Sequence, residues 1–254
     1  IQFPLGIFGV ALSTAILPTL SAQAARGALD ELRTTIGFGL RMIFFIILPA
    51  MAGLILLRYP IVHLVFEHGS FTRADTIATA TALLCYAVGL WAFAGVRIIV
   101  SAYYSLQDTK TPAVTAGIAV MANIGLSLWL MTMLDAAGLA LATALASMLN
   151  GTILVALLHR RLGSVEWGAI VRSGGRVLLA CVPMVLICLW VASAPLWSET
   201  GQWIVKSALL FGGIALSVTA YLGMHVLLGS DELGVVLGMV KRKFGRLARK
   251  LGTG

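Results

Sequence analysis

The fold is decided by residues 112–158, which read PAVTAGIAVMANIGLSLWLMTMLDAAGLALATALASMLNGTILVALL. The only charged residue in this stretch is Asp135, which divides it into two apolar halves. Each half has the length of about 20 residues that a helix needs to cross a bilayer. Because lipid offers no partners for free backbone groups, a spanning segment of this kind is helical. The stretch therefore predicts two membrane helices joined by a tight hairpin at Asp135.

The rest of the chain is equally apolar. Of its 254 residues, 59% are hydrophobic and 11% are charged, whereas soluble domains are about 25% charged. A chain of this composition needs lipid as the solvent of its outer surface. The predicted fold class is an all-α integral membrane protein with seven transmembrane helices. The predicted spans are 2–20, 35–57, 76–104, 112–134, 136–158, 175–194 and 203–229.

The charges between these spans predict the orientation. The loops at 21–34, 105–111 and 159–174 and the C-terminal tail share one side and hold twelve Lys and Arg residues. The loops on the other side hold two, Arg58 and Arg73. Because short loops rich in Lys and Arg stay in the cytoplasm, we expect a cytoplasmic C-terminus, with Ile1 near the outer face.

The tail, 231–254, differs from the rest of the chain. Four apolar residues recur at helical spacing among six Lys and Arg residues; they are Val240, Phe244, Leu247 and Leu251. This pattern predicts a basic amphipathic helix on the anionic cytoplasmic leaflet. The alternative is a disordered, solvated tail.

Local signals predict where some helices begin. Thr72 and Asp75 have the spacing of a capping box, in which a hydroxyl and a carboxylate satisfy the first free amides of a helix. Pro112 suits the first turn of a helix, with Thr111 as its cap.

Prolines and small residues predict bends and close packing. Pro18, with Gly6 and Gly9, indicates either a bent first helix or a helix terminus near Pro18. Pro49 lies within a span, where a proline leaves a backbone carbonyl free and bends the helix. A ridge of small residues spaced by four lets another helix approach closely; it comprises Gly138, Ala142, Ala146 and Asn150.

The sequence carries no catalytic constellation, phosphate-binding loop or set of residues at metal-ligand spacing, so neither an enzyme nor a metal or cofactor is predicted. The three cysteines all lie inside apolar runs, where they are expected to pack as small apolar residues; they are Cys85, Cys181 and Cys188. The basic excess is concentrated in the tail and gives no reason to expect nucleic-acid binding.

Charge within the membrane is the most informative signal. Burying an arginine in mid-helix costs about 2.5–3.5 kcal/mol, so such a residue usually meets a partner or a wet cavity. Arg97 lies well inside its span and is a candidate for an anion-binding residue, with snorkelling to the interface as the alternative. Arg41 lies about one turn inside its span, and the same two interpretations apply. Polar side chains within spans add the candidates Gln2, Ser13 and Asn123.

Four ordered motifs resemble the MurJ/MviN-type lipid II flippases. Residues 3–21, FPLGIFGVALSTAILPTLS, look like the eighth transmembrane helix of that family. Residues 102–112, AYYSLQDTKTP, are similar to its "FYALQDTKTP" signature, and residues 66–76, FEHGSFTRADT, to its "ERGxFTxxDT" loop. Residues 138–150, GLALATALASMLN, resemble its twelfth helix.

The resemblance implies a fourteen-helix transporter of the multidrug/oligosaccharidyl-lipid/polysaccharide (MOP) exporter superfamily. Residues 1–160 would form its second six-helix lobe without the first helix of that lobe, and 161–230 its terminal pair of helices, with a groove for a lipid tail. Residues 231–254 would be the basic cytoplasmic tail at the membrane interface. The N-terminal lobe would be missing from this chain, which alone is not expected to transport.

The cargo that the resemblance implies is lipid II, an undecaprenyl pyrophosphate that carries a disaccharide-pentapeptide. Cavity arginines would meet its pyrophosphate, and Arg97 aligns with a position that is often basic in the family. The family often has a basic residue just after its "LPxLS" motif; here those positions are Ser21 and Gln23, and Arg26 follows one turn later. The expected location is the bacterial cytoplasmic (inner) membrane.

Two alternatives remain open at this point. One is a sibling exporter of other lipid-linked oligosaccharides or of drugs. The other is a scaffold that does not transport and recruits cell-wall enzymes through its basic tail.

Overall fold

A computed structural model describes residues 5–67, 69–163, 165–198, 201–230 and 232–234. In these ranges the chain is helical apart from short connections, and no strand occurs in them. Gln2 and nearly all of the predicted tail helix lie outside the described residues. The elements are a π-helical segment (Leu5–Val10), α1 (Ala11–Ala25), α2 (Leu29–Leu56), α3 (Arg58–Phe66), α4 (Arg73–Val88), α5 (Leu90–Ser105), α6 (Lys110–Leu162), α7 (Trp167–Ala192), a 3-10 turn (Pro195–Ser198) and α8 (Trp203–Leu227).

Five helical stretches in the described residues are long and apolar enough to cross a membrane. They are Leu29–Leu56, Arg73–Ser105, Lys110–Leu162, Trp167–Ala192 and Trp203–Leu227. These stretches confirm the predicted fold class of a helical membrane protein. The number of crossings, seven, stays a prediction.

The predicted loops were too long in three places. The predicted loop at 58–75 contains the helix α3. In the predicted loop at 21–34, helices cover 21–25 and 29–34. In the predicted loop at 159–174, helices cover 159–162 and 167–174. Hydropathy marks only the part of a helix that lies in lipid, whereas the helix itself continues into water. The first turn of α2 shows why, because Asp30 and Glu31 there interact favourably with the positive end of the helix dipole.

The stretch that opened the sequence analysis reverses at Asp135. The backbone of Asp135 leaves the helical region, with φ 49° and ψ −132°, and so divides α6 into two arms, 110–134 and 136–162. A Cβ atom on Gly138 would lie 2.3 Å from the backbone oxygen of Leu130. The two arms therefore form the predicted hairpin, and only glycine fits at position 138.

The predicted caps have different outcomes. Thr72 and Asp75 form a capping box at the start of α4, as predicted. Thr111 is not the cap of α6, because the helix starts at Lys110 and the capping residue before it is Thr109. The side chain that satisfies the first turn is Asp108, whose Oδ1 accepts a hydrogen bond from the Thr111 backbone amide at 2.9 Å.

Asp108 also joins the two ends of α6. Its Oδ2 accepts hydrogen bonds from the Thr111 hydroxyl at 2.8 Å and from Arg161, near the end of the second arm, at 2.5 Å. The backbone and hydroxyl hydrogen bonds from Thr111, together with the Arg161 charge, lower the pKa of Asp108. The Leu-Gln-Asp-Thr-Lys-Thr-Pro motif is thus a clasp that closes the hairpin at the ends of its arms.

We expect Asp108→Ala to loosen this clasp without unfolding the protein. A lost helix cap typically makes the first turn open several-fold more often, so amide exchange over 109–113 should rise about fivefold in the purified protein. Because the folded pKa of Asp108 is below its ordinary value, the clasp is complete above that value and weakens as the pH falls through the folded pKa. An unchanged exchange rate in Asp108→Ala would show that the clasp is not formed.

Helix α2 lies between two apolar clusters. One cluster joins it to α1, α5 and the end of α6 through residues that include Ile36, Ile43 and Ile98. The other joins it to α7 and α8 through Phe45 and Val177. The terminal pair of helices therefore packs mainly on α2, and only the start of α7 also meets the end of α6.

The carbonyl that Pro49 leaves free belongs to Phe45, four residues earlier. The Tyr221 hydroxyl of α8 donates a hydrogen bond of 2.7 Å to this carbonyl. Tyr221 is 4% exposed, so water cannot reach the Phe45 carbonyl to donate in place of the tyrosine hydroxyl. A tyrosine distant in sequence therefore supplies the donor that the proline removed from α2.

A double-mutant cycle tests this pairing. Tyr221→Phe keeps the ring and leaves the Phe45 carbonyl without a donor, which should lower the free energy of unfolding by about 1–3 kcal/mol. Pro49→Ala supplies a new backbone amide, so Tyr221→Phe should cost much less in that background. Thermal unfolding of the four purified proteins measures both values, and equal costs in the two backgrounds would contradict the pairing.

Candidate functional site

The candidate site is a cavity of about 980 Å³ between the π-helical segment, α4, α5 and both arms of α6. Its wall carries both apolar and polar side chains. The polar side chains on the wall are Tyr86, Arg97, Asn123, Thr143, Ser147 and Asn150. Within the described residues, the structure thus places polar groups from three helices around one space.

Arg97 is the only charged residue on this wall, as far as the chain is described. It extends past Gly9, where a Cβ atom would lie 3.3 Å from Arg97 Cδ. Gly9 belongs to the π-helical segment, a rare backbone form that is frequent at functional sites. The glycine makes room for the arginine stem, which continues into the cavity.

Arg97 has no acidic partner in the described ranges. The ion pairs there involve the basic residues Arg26, Arg33, His63 and Arg161. An arginine keeps its charge at any physiological pH, so the cavity is positively charged. A cavity of this kind favours anions, and the planar guanidinium suits phosphate oxygens in particular.

Two amides add hydrogen-bond acceptors to the same wall. The Oδ1 atoms of Asn123 and Asn150 are buried and have no hydrogen-bond partner among the described residues. Buried polar atoms are usually paired, so such atoms need an explanation. A polar ligand in the cavity would satisfy both.

The structure brings together two of the eight candidate residues from the sequence, Arg97 and Asn123. Arg26 instead pairs with Glu31 at 3.1 Å on the surface. Ser13 donates to the backbone oxygen of Val10 at 3.0 Å, and Ser21 is exposed on α1. None of these last three lines the cavity.

The other candidates lie elsewhere or outside the described ranges. Gln23 is buried and donates through Nε2 to the Thr35 hydroxyl at 3.0 Å, which joins α1 to α2. Arg41 is half-buried, and its Nε atom has no partner in the described part of the chain. Neither lines the cavity. Gln2 lies outside the described residues.

Four polar residues of the cavity wall lie outside the set that the sequence predicts. They are Tyr86 on α4 and three residues of the second arm of α6, Thr143, Ser147 and Asn150. Their spacing of four and three residues places Thr143, Ser147 and Asn150 on one helix face, which is the signal that indicates a shared polar surface. Of the predicted ridge, Gly138, Ala142 and Ala146 are buried, and a close approach of another helical segment is seen at Gly138.

A second cavity, of about 590 Å³, is apolar. It is lined by α2, α5, the second arm of α6 and Trp167 at the start of α7. It does not lie between α7 and α8, so the predicted lipid-tail groove of the terminal pair stays a prediction.

A helical membrane protein with a cationic cavity between its helices has the architecture of a transporter. The family model "Lipid II flippase MurJ" matches residues 1–212. The chain belongs to this family.

Individual relatives agree with this assignment. The "Probable lipid II flippase MurJ" of Vibrio cholerae serotype O1 is 36% identical over 231 residues, which are 90% of this chain and 44% of that protein. The protein with the same name in Rhizobium meliloti is 30% identical over 251 residues, 95% of this chain and 45% of that protein. The chain thus spans a little under half the length of these relatives.

A solved structure supports the fold independently. The chain is similar to "Lipid II flippase MurJ, inward closed conformation" with a TM-score of 0.68 and 24% sequence identity. The similarity covers 90% of this chain and 46% of the solved one.

Proposed function

We propose that this chain is the second half of a transporter that moves lipid II from the cytoplasmic to the periplasmic leaflet of the bacterial inner membrane. The observation that carries the proposal is Arg97, an arginine on the cavity wall with no acidic partner among the described residues. Its guanidinium would bind the pyrophosphate oxygens of the cargo through two parallel hydrogen bonds.

The rest of the polar wall would bind the sugar and peptide parts of the cargo. The amide oxygens of Asn123 and Asn150 accept hydrogen bonds, which suits hydroxyl and amide donors. The undecaprenyl tail would stay in the bilayer, along the groove between α7 and α8.

Transport would proceed by alternating access, with no covalent chemistry and no metal or cofactor. An N-terminal lobe of the same protein would supply the opposite wall of the cavity, and we call the protein with both lobes the full-length protein. In the orientation that the loop charges predict, its C-terminus is cytoplasmic.

Transport is testable in vesicles that contain the full-length protein and fluorescent lipid II. The fraction of label that a membrane-impermeant quencher reaches should rise with time, whereas it should stay constant in vesicles without protein. Equal behaviour of the two preparations would refute the proposal. A labelled undecaprenyl-linked oligosaccharide of the O-antigen type serves as the matched cargo, and its equal transport would refute the assignment to lipid II.

A further inference from the structure

A buried chain of polar side chains joins α8 to α3 and α4, away from the cavity. Lys206 Nζ of α8 lies 2.9 Å from His63 Nε2 of α3. The other ring nitrogen, His63 Nδ1, lies 2.7 Å from Glu67 Oε2, which also accepts a hydrogen bond of 2.6 Å from the Thr76 hydroxyl of α4. Lys206 is 2% exposed and His63 is 7% exposed.

The partners of His63 determine its protonation. An ammonium group only donates hydrogen bonds, so His63 Nε2 is the acceptor for Lys206. An ionised carboxylate only accepts them, so His63 Nδ1 carries the hydrogen and donates it to Glu67. The imidazole is therefore neutral, and its two nitrogen atoms connect a cation on α8 to an anion beside α4.

The surroundings keep Glu67 ionised. Burial raises the pKa of Glu67, but the hydrogen bonds that it accepts from Thr76 and His63, together with the positive charge of Arg73, lower it overall. The remaining neighbours of His63 are aromatic: the Tyr59 ring stacks on it at 5.9 Å, and Trp197 meets it edge-on at 6.0 Å. Among the described residues, the charged groups beside His63 are Lys206 and Glu67, and Arg73 acts on Glu67.

We propose that His63 is a proton-binding site that controls the docking of α8 on α3. A proton would bind at Nε2, which then ceases to accept the hydrogen bond from Lys206. Two cationic N–H groups would face each other across the former contact and repel. Nδ1 would keep its hydrogen and its hydrogen bond to Glu67, so α3 would keep its link to α4 while the start of α8 is released.

The release would be local because α8 also has contacts far from Lys206. Lys206 lies in its first turn, and Tyr221 lies near its end, hydrogen-bonded to the Phe45 carbonyl of α2. The Tyr221 contact involves no group that titrates near neutral pH. Protonation of His63 should therefore open the first turns of α8 and leave the end of the helix on α2.

Hydrogen exchange in the full-length protein tests this inference without any transport assay. Imidazole changes charge between about pH 5 and 8, so exchange is measured at both ends of that range and corrected for the intrinsic rate. Amides of 204–210 should exchange about tenfold faster at the acidic end, whereas 218–224, around Tyr221, should not change. This outcome is independent of what the protein transports.

Matched variants assign the effect to one residue. His63→Gln keeps a polar acceptor and does not titrate, so it should abolish the pH dependence of 204–210. Lys206→Met removes the ammonium charge that a protonated His63 would repel, so it should also abolish the pH dependence of exchange over 204–210. This second variant keeps the test decisive if His63→Gln does not fold. His159→Gln, at an exposed histidine at the end of α6, is the control and should behave like the wild type.

Two results would overturn the inference. One is wild-type exchange over 204–210 with no pH dependence after correction. The other is a pH dependence that persists in His63→Gln or Lys206→Met, because another group would then carry it.

Discussion

Replacing Arg97 with alanine in the full-length protein is expected to lower the rate of lipid II flipping about 10- to 100-fold. The estimate follows from the hydrogen bonds that a charged group makes, about 1.5–3 kcal/mol, at about 1.4 kcal/mol for each factor of ten. Alanine also leaves the anionic cargo in the cavity without a neutralising charge. Arg97→Lys keeps the charge but loses the two parallel hydrogen bonds, so its rate should fall between alanine and wild type.

The measurement is the quenching assay with fluorescent lipid II, on variants with equal thermal stability. Arg160→Ala is the matched control, because Arg160 is exposed at the end of α6 and does not line the cavity. It should flip lipid II at the wild-type rate. If Arg97→Ala also flips at that rate, Arg97 does not bind the cargo and the proposed function loses its main support.

Gly138→Ala should destabilise the protein more than a glycine-to-alanine substitution at Gly117 or Gly125, the other glycines of the α6 hairpin compared with it below. The added Cβ would lie 2.3 Å from the Leu130 oxygen and 2.5 Å from the Leu130 carbonyl carbon, both of them backbone atoms. No side-chain rotation relieves such a contact, so the two arms must separate. Forced overpacking costs typically 1–3 kcal/mol, and we expect about 3 kcal/mol or more here.

Gly117 and Gly125, on the first arm of the same helix, provide the matched controls. A Cβ atom at either position would meet nothing within 4 Å. Because alanine is the better helix former, Gly117→Ala and Gly125→Ala should leave the melting temperature unchanged or raise it slightly. Thermal unfolding of the purified variants measures all three, and a Gly138→Ala protein that melts like the controls would contradict the close contact.

Hydropathy was sufficient to predict the fold class, because lipid-facing surfaces must be apolar whatever the packing inside. It does not locate helix ends that lie in water, so the sequence predicts a loop where the structure has α3. The reversal at Asp135 could be predicted because each apolar half is long enough to span the bilayer. The single charge between them must therefore lie at the membrane surface, where the chain turns back.

Hydrogen-bond partners that are distant in sequence could not be predicted from sequence patterns. Pro49 predicts that a carbonyl is left free, but nothing near it indicates that the donor is Tyr221. Lys206 and His63 are 143 residues apart, and in the sequence each is only a polar residue near a helix end, with no sign of the other as its partner. The place of Arg97 in a cavity could be predicted from the residue itself. A charge in lipid costs so much free energy that an arginine within a span indicates a cavity, whichever residues line the rest of it.

The bond between Tyr221 and Phe45 also has a consequence for biogenesis. The two residues are separated by 176 positions in sequence, so the ribosome makes α2 long before it makes α8. Until α8 arrives, the Phe45 carbonyl inside the membrane needs a temporary partner, such as water or a polar group of the insertion machinery. The packing of α2 is thus complete only after α8 has been made, and a chain truncated before Tyr221 would present that unpaired carbonyl to quality control.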